Sequence, residues 1–329
     1  MPVSANPSPI KHVVIIVKEN HGYDNYWGAF PGGNGVMLPA SPNPPPSDPN
    51  HRHEAWLTRD TTAPRVAFPQ QDIPHYWSYA SQFTLCDNYY TDVAGPSTPN
   101  HLMLIMADSA GLIDNPSTNY RKNPGPPLVD QPSLPSQLDA AGLSWGNYNG
   151  YAFEFIKYTA GKKHTWQQFA ADAAAGKLPS VSWLYSDDAL SEHPADTAEQ
   201  RAAGAGDVTK GSLWTVSQVQ SVVDAGLWPQ VAIFITWDDW GGWWDHVAPP
   251  ELEKWTDGTQ FRLGGRVGCL VLCPYAKKGF VSKAQHSHVS VVRFCENNFG
   301  LPSLNNRTSA ADGMEDCFDF SQSPLPPPQ

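Results

Sequence analysis

Two adjacent carboxylates, Asp238 and Asp239, follow an apolar and β-branched run at residues 231–236 and precede a Gly-Gly break. Such a run is typical of a buried strand in a parallel sheet, and ligands of open α/β sheets bind just beyond the carboxyl ends of strands. Neighbouring acids repel each other unless a cation or a shared proton lies between them. The pair therefore indicates a hard-metal site, with the alternative that one Asp caps a helix and the other is solvated.

A second apolar run, at residues 10–17, leads into Lys18, Glu19 and Asn20. It repeats the arrangement at Asp238, because a buried strand again delivers an acid at its end. Oxygen ligands of this kind suit Ca, Mg or Mn, and also Zn when a hydroxyl nucleophile is present. We expect the two strand ends to contribute to one site.

Ser97 and Thr98 lie in a Gly-Pro-Ser-Thr-Pro turn that opens onto a predicted helix within residues 94–107. A hydroxyl before a helix is usually an N-cap. A cation, however, lowers the pKa of a hydroxyl that it binds, and it neutralises charge on phosphoryl oxygens. Histidines that follow breaks in the pattern, His193 and His288, can bind phosphate oxygens or protonate a leaving alkoxide. This combination favours hydrolysis of phosphate esters.

Strands and helices alternate along the chain. The apolar patterns predict strands at 10–17, 144–148, 178–184, 228–236 and 266–272, and helices at 73–83, 94–107, 134–143, 165–175, 213–225 and 288–299. This alternation predicts an α/β fold with a doubly wound, mostly parallel sheet flanked by helices. We expect one catalytic domain at residues 10–320, a short N-terminal extension at 1–9 and a Pro-rich tail at 321–329.

Composition restricts the partners. The chain has 329 residues, of which 40% are hydrophobic, so a large core can form. A net charge of −11 argues against unspecific attraction to nucleic acid or anionic lipid, and no stable membrane anchor is expected. The five cysteines show no zinc-ligand spacing. No signal peptide is visible, which predicts a cytoplasmic protein, or a secreted or periplasmic one if a leader has been removed.

Five sequence motifs follow one another from the first strand towards the tail. They are KENHGYDNYWG at 18–28, AGPSTPNH at 94–101, SEHP at 191–194, TWDDWGGWWDHVAPP at 236–250 and SHVSVVRF at 287–294. Each is modest alone, but together they are specific. The chain thereby resembles the bacterial phosphoesterase family that contains nonspecific phospholipase C and an acid phosphatase, within the alkaline phosphatase superfamily.

The resemblance implies an alkaline phosphatase-like fold and a set of site residues. The implied metal ligands are Glu19, Asn20, Ser97, Asp238 and Asp239. Ser97 falls where the family places its nucleophile, and Thr98 is the neighbouring candidate. His193, His288 and His53 are implied to surround the phosphate, whereas His101 stands where many relatives carry Arg.

The implied activity is metal-dependent hydrolysis of phosphoric esters through a phosphoseryl intermediate. The divalent ion (Ca, Zn, Mg or Mn) is not identified, and the substrate is a small phosphate ester or a phospholipid. A phospholipase C-like activity and an acid phosphatase activity both remain open. A catalytically inactive, metal-stabilised binding protein would show a degraded nucleophile turn or missing ligands, and a sulfatase would carry C/S-x-P-x-R; neither feature occurs in this sequence.

Overall fold

A computed structural model of the chain describes residues 8–116 and 129–329. Over these residues the chain forms a large, mostly parallel sheet flanked by helices, which confirms the predicted α/β class. The strands are β1 His12–Lys18, β2 Thr84–Tyr90, β3 Trp145–Tyr148, β4 Lys163–His164, β5 Val181–Leu184, β6 Val231–Trp237, β7 Glu253–Lys254, β8 Gln260–Arg262, β9 Arg266–Leu272, β10 Phe280–Ser282 and β11 His286–Ser287.

The main sheet has the order β10-β2-β9-β6-β1-β5-β3-β4, and β11 pairs with β2 beyond this path. All of its pairings are parallel except those of β9, which runs antiparallel to both β2 and β6. The central strands are buried on both faces, which explains their nearly continuous apolar sequences. The remaining strands, β7 and β8, form a small antiparallel pair.

Helices cover the sheet. They are α1 Tyr23–Trp27, α2 His53–Trp56, α3 Arg59–Thr62, α4 Pro74–Gln82, α5 Ser97–Met106, α6 Leu134–Ala140, α7 Trp166–Ala174, α8 Ala198–Ala202, α9 Val208–Asp224, α10 His288–Phe299 and α11 Asn306–Ala310. Short 3₁₀ turns occupy Ala152–Phe155, Trp228–Gln230 and Glu315–Cys317. Apolar residues of the longer helices pack on the sheet in the main core cluster, and Trp56 of α2 packs in a smaller cluster with Ala94 and Trp240.

Element bounds largely agree with the sequence patterns. The strand at 266–272 and the helix at 288–299 have the predicted bounds, and the helix ends at Gly300 in a left-handed conformation. The helix predicted at 213–225 begins earlier, at Val208, because the side chain of Asp207 accepts hydrogen bonds from the next turn. Strand β2 was not assigned from the sequence.

The division into domains stays a prediction, and most of the proposed extension at 1–9 lies outside the described ranges. The tail nevertheless contacts the core. The Leu325 amide donates to the Pro274 carbonyl at 2.7 Å, and its carbonyl accepts from Trp228 Nε1 at 2.9 Å. Among the helices of residues 8–116 and 129–329, none is long and apolar enough to cross a membrane.

Candidate active site and metal centre

The first component of the site is formed where β1 and β6 end. These strands run side by side in parallel with Lys18 opposite Trp237, so the residues that follow each strand emerge at the same sheet edge. The Asp238 amide donates to the Lys18 carbonyl at 3.0 Å, and the Asn20 amide donates to Asp238 Oδ1 at 3.1 Å. Parallel register therefore brings the two polar strand ends into direct contact.

The Gly-Gly break closes the loop after Asp239 onto Asn20. A Cβ atom on Gly241 would lie 1.9 Å from the Asn20 carbonyl oxygen, and Gly241 has a φ of 63°. Glycine is required there, because other residues would clash and would rarely adopt this backbone conformation. The Gly241 amide in turn donates to Asp239 Oδ1 at 2.7 Å, which fixes that carboxylate.

Ser97 is the first residue of α5 and lies against these acids. Its Oγ donates to Asp239 Oδ2 at 3.0 Å and lies 3.5 Å from Asn20 Oδ1, and the side chain is fully buried. Thr98 faces a different group, since its Oγ1 lies 2.9 Å from the Tyr151 hydroxyl. Ser97 thus lies beside Asn20 and Asp239, whereas the predicted convergence of Glu19, Asn20, Asp238, Asp239 and Ser97 on one ion, and the choice of nucleophile, stay predictions.

His101 completes this cluster, although its sequence position did not indicate a role. Its Nε2 lies 3.1 Å from Asp238 Oδ2 and 3.9 Å from Glu19 Oε1. Within residues 8–116 and 129–329, neither His101 ring nitrogen nor Asp238 Oδ2 has an aligned hydrogen-bond partner. Buried polar atoms of this kind are costly unless another group satisfies them.

The donor set fits a divalent cation. One atom from each of Glu19, His101 and Asp238 lies within 4.8 Å of the others, and Asn20 and Asp239 add oxygens beside them. Carboxylate and amide oxygens with one imidazole suit a hard or borderline ion. A cation among these atoms would satisfy the buried groups that lack partners.

The electrostatics of the two Asp residues differ. Burial disfavours the charge of Asp238, but the neighbouring charge of His101 and the hydrogen bond from the Asn20 amide outweigh it and lower the pKa to about 2. Burial and the neighbouring charge of Asp238 raise the pKa of Asp239 well above its ordinary value. The pair thus behaves as two acids that need a proton or a cation between them, as the sequence suggested.

A second group of titratable residues lies on a cavity of about 950 Å³ that also reaches Glu19 and Thr98. It consists of Asp48, His51 and His193, which approach within 4.8 Å of one another. His193 Nδ1 donates to the Pro194 carbonyl at 2.6 Å, which leaves Nε2 available for a ligand. The structure therefore places His193 at the cavity, and its contact with phosphate stays a prediction.

His51 also lines this cavity, although the family resemblance does not imply it. Its Nε2 lies 3.3 Å from Asn20 Nδ2, and its ring packs edge-on against His193 with centroids 5.8 Å apart. The motif NHRH at 50–53 contains two histidines, of which the resemblance implies His53. A signal for His51 was present in that motif, but nothing in a Pro-rich loop distinguishes the two positions.

The other two predicted histidines, His53 and His288, do not present a free ring nitrogen to the cavity, because both nitrogens of each ring form hydrogen bonds within the protein. His53 bonds to the Ala94 carbonyl at 2.6 Å and to Thr259 Oγ1 at 3.0 Å. His288 bonds through Nε2 to the Asp238 carbonyl at 2.7 Å and through Nδ1 to the Tyr89 hydroxyl at 3.0 Å. Because both ring nitrogens are engaged in each case, neither ring is free to bind phosphate in this conformation, and the predicted phosphate contact stays a prediction.

Sequence comparison identifies several relatives. Residues 47–302 match the model of the Phosphoesterase family. A non-hemolytic phospholipase C of Pseudomonas aeruginosa is 26% identical, with 96% of this chain and 58% of the relative covered. Phospholipase C A of Mycobacterium tuberculosis is 25% identical, with 98% and 80% covered, and non-specific phospholipase C6 of Arabidopsis thaliana is 24% identical, with 96% and 74% covered. The chain thus spans little more than half the length of the Pseudomonas relative.

Structural comparison supports the fold. The lipoteichoic acid synthase LtaP of Listeria monocytogenes superposes with a TM-score of 0.53 at 11% identity, covering 94% of this chain and 79% of the other. A protein in the alkaline phosphatase superfamily from Vibrio parahaemolyticus gives a TM-score of 0.51 at 11% identity, covering 94% and 71%. These likenesses confirm the alkaline phosphatase-like fold that the motifs implied.

Proposed function

The chain belongs to the Phosphoesterase family, and from this membership we propose that it hydrolyses phospholipids in the manner of phospholipase C, with Ser97 as nucleophile and a divalent cation at the two strand ends. One observation carries the proposal: the Ser97 hydroxyl donates to Asp239 and lies beside Asn20 at the carboxyl edge of the sheet. The phospholipase C activity of the relatives named above supports this assignment.

A bound cation would lower the pKa of the Ser97 hydroxyl and neutralise charge on the phosphoryl oxygens. Glu19, Asn20, Asp238 and Asp239 would hold it. The acids keep Ser97 oriented, because its Oγ already donates to Asp239 Oδ2 at 3.0 Å. The metal's identity stays open, since oxygen-rich sites accept several divalent ions.

The proposed reaction has two steps, formation and hydrolysis of a phosphoseryl intermediate. The proton that Ser97 donates to Asp239 is the one it gives up as Oγ bonds to phosphorus. The bond from phosphorus to the glycerol oxygen breaks, and His193 protonates that oxygen from the cavity side. Water then attacks the phosphoseryl group and gives a proton back to His193. The proton held by Asp239 returns to the Ser97 oxygen, and the phosphorylated head group is released.

The cavity wall favours a diester with a cationic head group over a phosphomonoester dianion. Acidic side chains outnumber basic ones along it: the acids are Glu19, Asp48, Asp187, Asp188, Asp196 and Glu199, and the bases are Arg52 and Lys163. Tyr151, Phe155 and Tyr185 also line it, and aromatic faces attract alkylammonium groups. A monoester would need additional positive charge for its third oxygen.

The test compares matched substrates with the metal-loaded enzyme. We expect release of phosphocholine and diacylglycerol from phosphatidylcholine micelles, and a much lower rate of phosphate release from phosphocholine. Ser97→Ala should abolish both. Faster release of inorganic phosphate from monoesters than of head group from the lipid would instead assign an acid phosphatase activity to the same site.

A further inference from the structure

A second cluster of metal-ligating side chains lies on β2, on β11 and in the C-terminal segment. Its members are Cys86, His286 and Cys317, whose ligand atoms approach within 4.8 Å of one another and which are all buried. All five cysteines of the chain are unpaired. The mechanism above uses none of these groups.

Interatomic distances in this cluster match a tetrahedral site. The sulfur atoms of Cys86 and Cys317 lie 3.6 Å apart, and two thiolates at about 2.3 Å from one zinc are separated by roughly 3.8 Å. Cys317 Sγ lies 3.9 Å from His286 Nε2, where a zinc site requires about 3.6 Å. Both distances lie within a few tenths of an ångström of the zinc values, and Cys86 and His286 are within 4.8 Å of each other.

Asp316 supplies a fourth ligand at the partly exposed side of the cluster. Its Oδ1 lies 3.2 Å from His286 Nε2 and 3.6 Å from Cys317 Sγ, close to the roughly 3.4 and 3.6 Å of a tetrahedral zinc site. Its side chain is 32% exposed, so an ion can enter from solvent there. Two thiolates, one imidazole and one carboxylate form a donor set that zinc prefers over calcium or magnesium.

The orientation of His286 is also set for a metal. Its Nδ1 lies 2.6 Å from Asp312 Oδ1, so the ring donates to this carboxylate. Its Nε2 lies on the side of Cys317 Sγ, at 3.9 Å, and also 3.0 Å from the Ser282 hydroxyl, which a bound ion would replace as its partner. Histidine ligands of zinc almost always donate their other ring nitrogen to a carboxylate or a carbonyl, which fixes the tautomer. Asp312 thus acts as a positioning residue.

We propose that Cys86, His286, Cys317 and Asp316 bind one structural zinc ion. The ion would fasten the segment around 312–317 to β2 and β11. Two residues after His286, His288 begins α10 and bonds to the Asp238 carbonyl. Zinc would therefore stabilise the wall that supports the candidate active site, without taking part in the chemistry.

The test uses the full chain, stripped of metal under reducing conditions and reloaded with Co²⁺ or Zn²⁺ alone. To separate the sites, Glu19→Gln with Asp239→Asn removes ligands of the active centre. We expect that variant still to bind one Zn²⁺ per chain and to show a thiolate-to-cobalt charge-transfer band. Further substitution of Cys86→Ser and Cys317→Ser should abolish that band and that zinc, whereas Cys295→Ser, a buried cysteine of α10, should keep both.

A second, milder variant tests the proposal even if the variant with both serine substitutions does not fold. Asp312→Asn leaves every proposed ligand in place and should weaken zinc binding by about 10- to 100-fold. A reloaded wild-type chain without a thiolate-to-cobalt band would overturn the proposal. So would unchanged zinc affinity in Asp312→Asn, or a band that survives the loss of Cys86 and Cys317.

Discussion

The Oγ of Ser97 donates a hydrogen bond to Asp239 Oδ2 at 3.0 Å, although 142 positions separate the two residues in the sequence. The contact exists because α5 begins at the same edge of the sheet at which β6 ends. Strand β2 leads to α5 and runs parallel to β6, since both are antiparallel to β9 between them. The sheet topology thus joins the hydroxyl to the acids.

The first prediction separates the two candidate nucleophiles. Ser97→Ala should lower kcat for head-group release by at least about 10³-fold, because in the described part of the chain no other hydroxyl donates to Asp239. Thr98→Val keeps the side-chain shape and should lower kcat by less than about 10-fold. Steady-state rates on phosphatidylcholine, with circular dichroism to verify folding, would measure both. The opposite order of effects would assign the nucleophile to Thr98.

The second prediction concerns the cation at the active site. Chelation should abolish turnover while the secondary structure persists, and one class of divalent ion should restore it. Glu19→Gln should weaken binding of that ion, because it removes a charged oxygen at the strand end. Asp188→Asn, an exposed acid at the rim of the cavity, is the control and should bind metal as the wild type does. Full activity after exhaustive chelation would rule out a metal-dependent mechanism.

The strand ends could be predicted from the sequence because their signal is local. An apolar run that stops on acids marks the carboxyl end of a parallel strand, and such ends meet at one edge of the sheet. Glu19 and Asp238 could therefore be predicted as site residues without knowing the topology of the sheet. Predicting Ser97 as the nucleophile required the family motifs, since a hydroxyl before a helix is more often an N-cap.

Other site residues have weak local signals in the sequence, or none. His101 lies four residues after Ser97 on α5 and so shares its helix face, a periodicity that could have indicated it. His51 lies in an irregular loop, where no regular spacing of residues predicts the direction in which a side chain points. Cys86 and Cys317 are 231 positions apart, and only the folded chain brings their sulfur atoms together.

The third prediction concerns pH. Burial alone would lower the pKa of His193, but the charges of Glu19 and Asp48 outweigh it and raise the pKa above the ordinary value. If the protonated ring is the general acid, activity is present below this raised pKa and is lost as pH increases through it. His193→Gln should remove that alkaline limb and slow substrates with poor leaving groups by about 10² or more.

A good leaving group needs no proton, so p-nitrophenyl esters should be slowed much less by His193→Gln. His164→Gln, on the exposed strand β4, is the matched control and should keep the wild-type pH profile. An alkaline limb that persists in His193→Gln would show that another group controls it.

The last prediction concerns Glu192, the residue before His193, which is buried in a left-handed conformation with a φ of 79°. Its carboxylate accepts from the Tyr76 hydroxyl at 2.6 Å and from the Tyr26 hydroxyl at 2.8 Å, and it lies 3.4 Å from Lys18 Nζ. Glu192→Gln would leave the Lys18 ammonium buried without a counter-charge. Breaking a buried pair in this way costs about 3–5 kcal/mol, so the free energy of unfolding should fall by that order.

Urea denaturation of wild type and variant would measure this loss, with Glu199→Gln on the exposed surface of α8 as the control. Removing the unpaired charge as well, in Lys18→Met with Glu192→Gln, should recover part of the stability, because the penalty lies in the isolated ammonium. The loop that presents His193 should also shift, so kcat should fall in Glu192→Gln even at temperatures where it is fully folded. A stability change below about 1 kcal/mol would mean that water or a rearranged carbonyl replaces the carboxylate as partner of Lys18.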